Sequence, residues 1–507
     1  MITAADSQTL TTALDASFAR DPARTMLESG DRRVTAGEIL EQAAHWAGAL
    51  ANFGVGRGDR VAVQVEKSVE VLFLYLGCLR LGAVYLPLNT AYRAAEIEYF
   101  LGDAQPRLFV CAPDRLDQSM PLAAGAGARI ATLSADGDGT LAQSAAEADP
   151  APREDLEPDD LAAILYTSGT TGRSKGAMLS HANLLANALA LKETWGFSEN
   201  DVLLHALPIF HVHGLFISLN TALLAGARMI WQPKFDAGAV IEALPRATAF
   251  MGVPTYYTRL LEDERLDRER TKHMRVFISG SAPLLPDTFA EFQARTGQRI
   301  LERYGMTETG IIASNPLDGE RRPGTVGMPL PGTEVRIVND EGRPIYPGEN
   351  GMVEVRGPNV FSGYWKMPEK TKSEFRADGF FITGDVGRWD EKGYLCLVGR
   401  AKDLIICGGL NVYPKEIEEL IDGFTGVRES AIVGLPHPDF GEVVAAVIHS
   451  ETGAGLTADS IIFRLRDRIA NFKVPKAVFF VDELPRNAMG KVQKNVLRER
   501  YRGTFGK

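Results

Sequence analysis

Tyr166-Thr167-Ser168-Gly169-Thr170-Thr171-Gly172-Arg173-Ser174-Lys175-Gly176 is a run of small hydroxyl and glycine residues closed by one lysine. Glycine allows close backbone approach, the N–H groups and hydroxyls can surround a polyphosphate, and the lysine adds a mobile positive charge. The apolar run Leu161-Ala-Ala-Ile-Leu-Tyr166 before it suits a buried strand, so the loop is expected at a strand end. The pattern G-x-x-x-x-G-K-[ST] is not met, because Gly172 is followed by Arg173 and Lys175 by Gly176. A loop of this composition also serves as a plain flexible connection, and the rest of the chain has to decide between the two.

Outward from the loop, the chain reads as alternating helices and short apolar strands. Thr35-Ala-Gly-Glu38 opens a helix as a capping box, with Leu40, Ala43, Ala44, Ala47 and Leu50 on one face. Residues 60–65 read as a strand, 69–81 as a helix and 83–88 as extended chain, and further strands are expected at 202–207, 247–253, 276–279 and 299–304. This alternation predicts an α/β layered domain. Residues 133–158, rich in Asp, Ala, Gly and Pro, read as a surface connection. Beyond Gly399-Arg-Ala-Lys-Asp403 the pattern changes to a smaller α+β unit, in which Pro414 opens a helix.

At 507 residues, the chain is too long for one core, and two or more domains are expected. A net charge of −10 argues against a nucleic-acid surface as partner. Cys78, Cys111, Cys396 and Cys407 form no C-x-x-C pair, so neither a disulfide framework nor a zinc site is indicated. The N-terminus shows no secretory signal, and the most apolar window, 71–79, is too short to span a bilayer. A cytoplasmic enzyme without a membrane span is the expectation.

Activating a carboxylate with ATP needs cations on the triphosphate, a metal ligand, an adenosine pocket and a cation near the reacting oxygen. Residue types for each task occur in Tyr304-Gly-Met-Thr-Glu308, Gly379-Phe-Phe-Ile-Thr-Gly-Asp385, Gly399-Arg400 and Pro485-Arg-Asn-Ala-Met-Gly-Lys491. Taken singly, Thr-Glu after a strand is a polar turn, Asp after Gly a turn residue, and Lys491 a member of a basic tail. In their order with the loop, they resemble the adenylate-forming enzymes: acyl-CoA synthetases, peptide-synthetase adenylation domains and luciferases. The resemblance runs from about residue 30 to about residue 500.

That resemblance implies a large N-terminal ATP- and acid-binding domain over 1–401, of layered sheets and helices. It implies a small mobile α+β domain over 402–507, with Lys402 at the hinge. It implies that Thr167, Ser168, Gly169, Thr170, Thr171, Gly172 and Lys175 hold ATP phosphates. Glu302, Arg303, Tyr304, Gly305, Met306 and Thr307 complete the nucleotide site, where Tyr304 stacks on adenine, Thr307 bonds phosphate and Glu308 binds Mg²⁺. Asp385 and Arg400 hold the ribose, and Lys491 neutralises the reacting oxygens. Two closures follow from the resemblance, one presenting Lys491 for adenylation and the other the Gly408-Gly409 face for thioester formation with coenzyme A. The Pro485–Lys491 stretch also resembles a regulatory acylation site, which implies a lysine acetyltransferase and deacetylase acting on Lys491.

The acid is the finer question. His211 and His213 in Phe210-His-Val-His-Gly-Leu215 lack a third ligand at suitable spacing, so a metal site is rejected. The family places an aromatic or histidine at His211, beside the acyl pocket. In Gly252-Val-Pro-Thr-Tyr-Tyr-Thr-Arg259, Pro254 starts a helix and Arg259 follows Thr255 by one helical turn. A guanidinium buried against an alkyl tail is costly, so its natural partner is a second carboxylate. Arg259 as a solvated residue near Glu262 and Asp263 stays open. This region, with Ser279-Gly280-Ser281, 83–92 and 367–375, resembles the malonate–CoA ligase branch of the family. It implies that Arg259, Ser281, Gly280 and His211 hold the distal carboxylate of malonate. The apolar Ile311 and Ile312 suit a methyl branch, as in methylmalonate. A medium-chain or aryl acyl-CoA synthetase, with Arg259 facing water, is the alternative.

Overall fold

The computed structural model describes residues 8–167, 174–407, 410–438, 440–487 and 490–505. Ser168, Gly169, Thr170, Thr171 and Gly172 of the phosphate loop and the Gly408-Gly409 pair lie outside the described residues. The chain forms two compact units. One holds the chain up to Val335 with Val355–Phe381, and the other holds Arg336–Glu354 with the chain from Ile382 on.

Among the described residues, the first unit carries two large sheets. One has the order Gly363–Tyr364, Lys175–Ser180, Leu161–Thr167, Val84–Pro87, Arg60–Gln64, Leu108–Cys111, Arg129–Thr132, with its core strands parallel. The other runs Met328–Pro329, Gly310–Ser314, Ile300–Met306, Val276–Ser279, Ala249–Gly252, Val202–His205, Arg228–Trp231, Thr25–Ser29, Arg32–Thr35. Parallel strands need crossovers, and the intervening helices supply them. The helix Val69–Leu81 falls where its sequence puts it. The Ser68 hydroxyl accepts from the Val71 N–H at the start, and Gly82 in the left-handed region ends it.

The sequence-derived strands recur with ends shifted by a residue or two; Ile300–Met306, for example, runs past Tyr304 into its own motif. One region differs in kind. Within 133–158, Thr140–Glu147 is a helix, because Leu141 and Ala145 share a face and are buried beside the helix Ala36–Asn52. The turn-forming residues around it concealed a short one-sided apolar stripe.

Below the helix Pro254–Leu261, a ring cluster of Phe250, Tyr257, Phe277 and Phe292 packs edge to face at 4.9–6.5 Å between centroids. The Tyr257 hydroxyl donates to the Ile278 carbonyl at 2.7 Å, which ties that helix to a sheet strand.

The second unit pairs Val427–His437 with Gly441–Ser450 in a long antiparallel ladder, and Ala477–Val481 joins the latter in parallel. Ile417 and Ile421 of the helix Pro414–Asp422 face the resulting core. A four-stranded sheet precedes it, in which Phe381–Trp389 and Leu395–Arg400 pair antiparallel. Among the described residues, no helix is long and apolar enough to cross a membrane.

Phe292 is fully buried and touches both Tyr257 and Phe277. Replacing Phe292 with Ala is expected to destabilise the first unit by about 3–5 kcal/mol, read as a lower urea midpoint with unchanged m.

Candidate active site

The described residues expected at the phosphates lie within the first unit. Thr167 ends one strand and Lys175 begins the next, so these two residues flank the loop across an antiparallel pair. Lys175 is buried, its ammonium 3.2 Å from Glu374 Oε1 and 4.1 Å from the centre of the Tyr364 ring. Glu308 is buried in the turn after Ile300–Met306, and its Oε1 lies 3.0 Å from the Tyr364 hydroxyl and 3.5 Å from the Thr167 hydroxyl. The same Tyr364 hydroxyl lies 2.7 Å from Glu374 Oε2. Burial acts first and the two carboxylates second, and together they hold the Tyr364 phenol well above its usual range. Burial works to raise Glu374 as well, but Lys370, Tyr364 and Lys175 outweigh it and hold that carboxyl low.

Glu308 fits a hard cation: it is an oxygen donor flanked by hydroxyls at the phosphate-loop strand end. Among the described residues, no group of three His, Cys, Asp or Glu forms a metal cage. A Mg²⁺ here would therefore take its other ligands from phosphate oxygens and water, and it would neutralise charge on the phosphates. Tyr364 and Glu374 were given no role from sequence. Glu374 stands inside the 367–375 stretch, where an acid among lysines reads as solvated helix surface.

A second constellation surrounds Arg303. This residue lies on the strand Ile300–Met306, it is buried, and its Nε and Nη2 have no hydrogen-bond partner among the described residues. Burial pushes its guanidinium down to about 9, with Tyr257 acting weakly in the other direction. It acts electrostatically on His211 and His213. Burial, then the Arg303 charge, brings His211 down to about 4, and the same two causes with His211 and His205 hold His213 low. The imidazoles are therefore neutral at ordinary pH. His213 Nδ1 lies 3.2 Å from Ser281 Oγ, and His211 Nδ1 accepts from the His213 N–H at 3.2 Å. Gly280 lets the guanidinium in, since a Cβ there would stand 2.4 Å from Arg303 Cζ. Ser281 adopts a left-handed φ of 73°, which strains a non-glycine residue at this point.

The structure thus brings Arg303, His211, Gly280 and Ser281 together. Arg303 was expected with the nucleotide. Arg259 is placed differently: Tyr257, Leu260 and Leu261 take the inner face of its helix, and Arg259 is exposed near Tyr256. Of the other expected nucleotide residues, Glu302 and Tyr304 are buried on the same strand, and Gly305, Met306 and Thr307 lie where it turns into the hairpin.

In the second unit, Asp385 and Arg400 are cross-strand partners, and Arg400 Nε contacts Asp385 Oδ1 at 2.8 Å. Arg400 Nη1 also donates to the Thr383 carbonyl at 3.1 Å. Lys402 sits in the single turn Ala401–Asp403, and burial lowers its pKa. Lys491 follows Gly490, whose φ of 74° makes the tight turn, and the Asn487 side chain accepts from the Lys491 N–H at 3.0 Å. The Lys491 side chain is exposed yet crowded by protein atoms. Desolvation first, then the Arg400 charge, brings its ammonium to about 8.

Replacing Gly280 with Ala tests the Arg303 constellation. The displaced atoms end a flexible side chain, so folding should persist while the guanidinium moves. Acid-dependent pyrophosphate release is expected to fall about tenfold or more in kcat/KM, with KM for ATP little changed.

With this geometry in view, relatives can be compared. Residues 14–365 match the AMP-binding enzyme family, and residues 416–491 match the AMP-binding enzyme C-terminal domain. A feruloyl-CoA synthase of Amycolatopsis sp is 35% identical over 95% of this chain and 96% of its own. A malonate–CoA ligase of Arabidopsis thaliana is 36% identical over 88% of this chain and 79% of its own. The crystal structure of ATP-bound MatB from Rhodopseudomonas palustris superimposes with a TM-score of 0.96 at 53% identity, covering 98% of this chain and 100% of that one. A buried phosphate-side carboxylate and lysine, and this match along nearly the whole chain, agree: the chain belongs to the AMP-binding enzyme family, as an AMP-forming acyl-CoA synthetase.

Proposed function

We propose that this synthetase joins malonate to coenzyme A, and that it also accepts methylmalonate. One malonate carboxylate attacks the α-phosphorus of ATP, the α–β phosphoanhydride breaks, and malonyl-AMP and pyrophosphate form. The thiol of coenzyme A then adds to the acyl carbon, AMP leaves, and the thiol proton passes to solvent.

The observation that carries this reading is the buried Arg303 guanidinium, whose Nε and Nη2 have no hydrogen-bond partner among the described residues and which lies beside neutral imidazoles and Ser281. A second carboxylate on the substrate is the partner it lacks. Ile311 and Ile312 are both buried, and they offer the apolar surface a methyl branch would need. The Arabidopsis malonate–CoA ligase supports the same acid. The feruloyl-CoA synthase, equally similar in sequence, favours an aryl acid instead. An aryl ring would leave the guanidinium desolvated and unpaired, at a cost of about 3–5 kcal/mol.

In this reading, Lys175 and Thr307 hold phosphate, Glu308 holds Mg²⁺, Asp385 and Arg400 hold the ribose, Lys402 is the hinge, and Lys491 neutralises the reacting oxygens. Lys491 is exposed, so a modifying enzyme can reach it, and acetylation would remove the charge that adenylation uses.

A CoA-dependent AMP-release assay with malonate, methylmalonate, butyrate and an aromatic monocarboxylate tests the choice of acid. Malonate should exceed butyrate by about 100-fold or more in kcat/KM, and Arg303→Met should abolish the preference. Turnover of a monocarboxylate without malonate would sink the reading. Arg259→Leu divides the roles: loss of malonate activity assigns the exposed arginine to the distal carboxylate as well, and no change leaves that task to Arg303.

The pH dependence of adenylation follows from Lys491. Its ammonium is held at about 8, so the needed charge is present below that pH and is lost as pH rises through it. Pyrophosphate release in the absence of CoA should therefore fall on the alkaline side near pH 8. Lys491→Arg, slower throughout, should lack that alkaline limb because a guanidinium stays charged.

A further inference from the structure

Lys67 is a buried cation that none of the roles above uses. It lies between the strand Arg60–Gln64 of one sheet and the helix Val69–Leu81, and it is 5% exposed. Its ammonium reaches across to the other sheet of the same unit. There it lies 2.8 Å from His205 Nδ1, 2.8 Å from the His205 carbonyl and 3.2 Å from the Leu207 carbonyl. Its fourth side faces the Trp231 ring, 4.1 Å from the centroid.

The tautomer of His205 follows from its partners. His205 Nε2 lies 2.9 Å from the Gly214 carbonyl, which can only accept, so Nε2 carries the proton. Nδ1 is then the lone-pair nitrogen and accepts from Lys67. Three acceptors around one nitrogen match the three protons of an ammonium, and a tryptophan face suits the remaining side. Every strong polar contact of this buried pair is therefore made.

The position of the anchored atoms gives the pair a purpose. His205 ends its strand, Leu207 follows, and Gly214 stands at the start of the π-helix His213–Leu219. Between these anchors runs the loop that carries His211 and His213, the imidazoles beside Arg303 and Ser281. The loop is thus fastened at both ends through one histidine ring and one ammonium. A π-helical segment is itself an arrangement that is held in place by its surroundings and is found frequently at functional sites.

We propose that Lys67, acting through His205, is a positioning residue for the acid-binding loop 206–213, and so sets the affinity for the acid without touching it. The inference rests on the reading of Arg303 and its neighbours as the acid site. It requires only that the loop carries that site, whichever acid binds.

The test is a split of kinetic constants in the full-length enzyme. Lys67→Met keeps the stem and removes the three donors. KM for malonate should rise about tenfold or more, while KM for ATP stays within about twofold. A paired substitution at the ring keeps the question answerable should Lys67→Met fold poorly. His205→Gln retains one donor and one acceptor, so it should keep KM for malonate within about threefold of wild type; His205→Leu, which retains neither, should reproduce the Lys67→Met rise. If Lys67→Met or His205→Leu shifts both KM values together, or shifts neither, the pair is a structural tie only and the proposal is overturned. The same follows if His205→Gln behaves as His205→Leu does. Should wild-type enzyme turn over a monocarboxylate and ignore malonate, the malonate reading fails separately. The variants are then scored by KM for that monocarboxylate, with the same outcomes deciding.

Discussion

In the proposed reading, acid binding depends on one constraint: a positive charge buried with two of its donor nitrogens unpartnered among the described residues. Transferring a guanidinium from water to protein costs several kcal/mol or more unless a counter-charge and hydrogen bonds compensate. Arg303 has neither at its Nε and Nη2 among the described residues. Its surroundings avoid compounding the cost, since burial and the Arg303 charge together keep His211 and His213 neutral. Neutral imidazoles can still donate or accept hydrogen bonds. The site therefore presents one positive charge with neutral polar groups around it, an environment matched to a single carboxylate.

The opposite arrangement governs the phosphate side. Lys175 is buried too, but Glu374 and the Tyr364 ring answer it, and Tyr364 in turn joins Glu374 to Glu308. A cation already paired needs no ligand in order to remain charged, which suits the phosphate-holding role proposed for Lys175. Exchanging Glu374 for a phosphate oxygen replaces one charge-assisted contact with another of similar strength. The two sites thus use burial to different ends. In the proposed reading, one holds a charge for the acid, and the other keeps its charges in a network that a nucleotide would enter.

The sequence made much of this legible, and physical reasons mark where it stopped. The helix Val69–Leu81 stands where the sequence reading put it, and in the structure Ser68 and Gly82 are the local groups that bound it. The strands were readable from short apolar runs. The helix Thr140–Glu147 was not, because only Leu141 and Ala145 are buried and the segment lies in a stretch rich in Asp, Ala, Gly and Pro. Asp385 and Arg400 appear together in the motif order and meet across one ladder, so local register carried their pairing. The contrast between Arg259 and Arg303 is of another kind. Spacing along a helix fixes which residues share a face, but not whether that face looks inward. Here Tyr257, Leu260 and Leu261 take the inside and leave Arg259 outside. Arg303 sits within a nucleotide motif, and nothing local indicates that its side chain joins His211 and Gly280.

Lys67 and His205 illustrate a limit that no motif would remove. The two residues are 138 positions apart in the chain, so neither carries a local signature of their contact. A lysine before a helix N-cap reads as solvated, and a histidine at a strand end reads as ordinary. Only the three-dimensional match of three acceptors to three ammonium protons gives the pair its meaning. A tie of this sort is also well suited to a specificity loop. Main-chain carbonyls serve as its anchors, so the side chains of the loop remain free to vary with the acid while the backbone stays where the phosphate chemistry requires it.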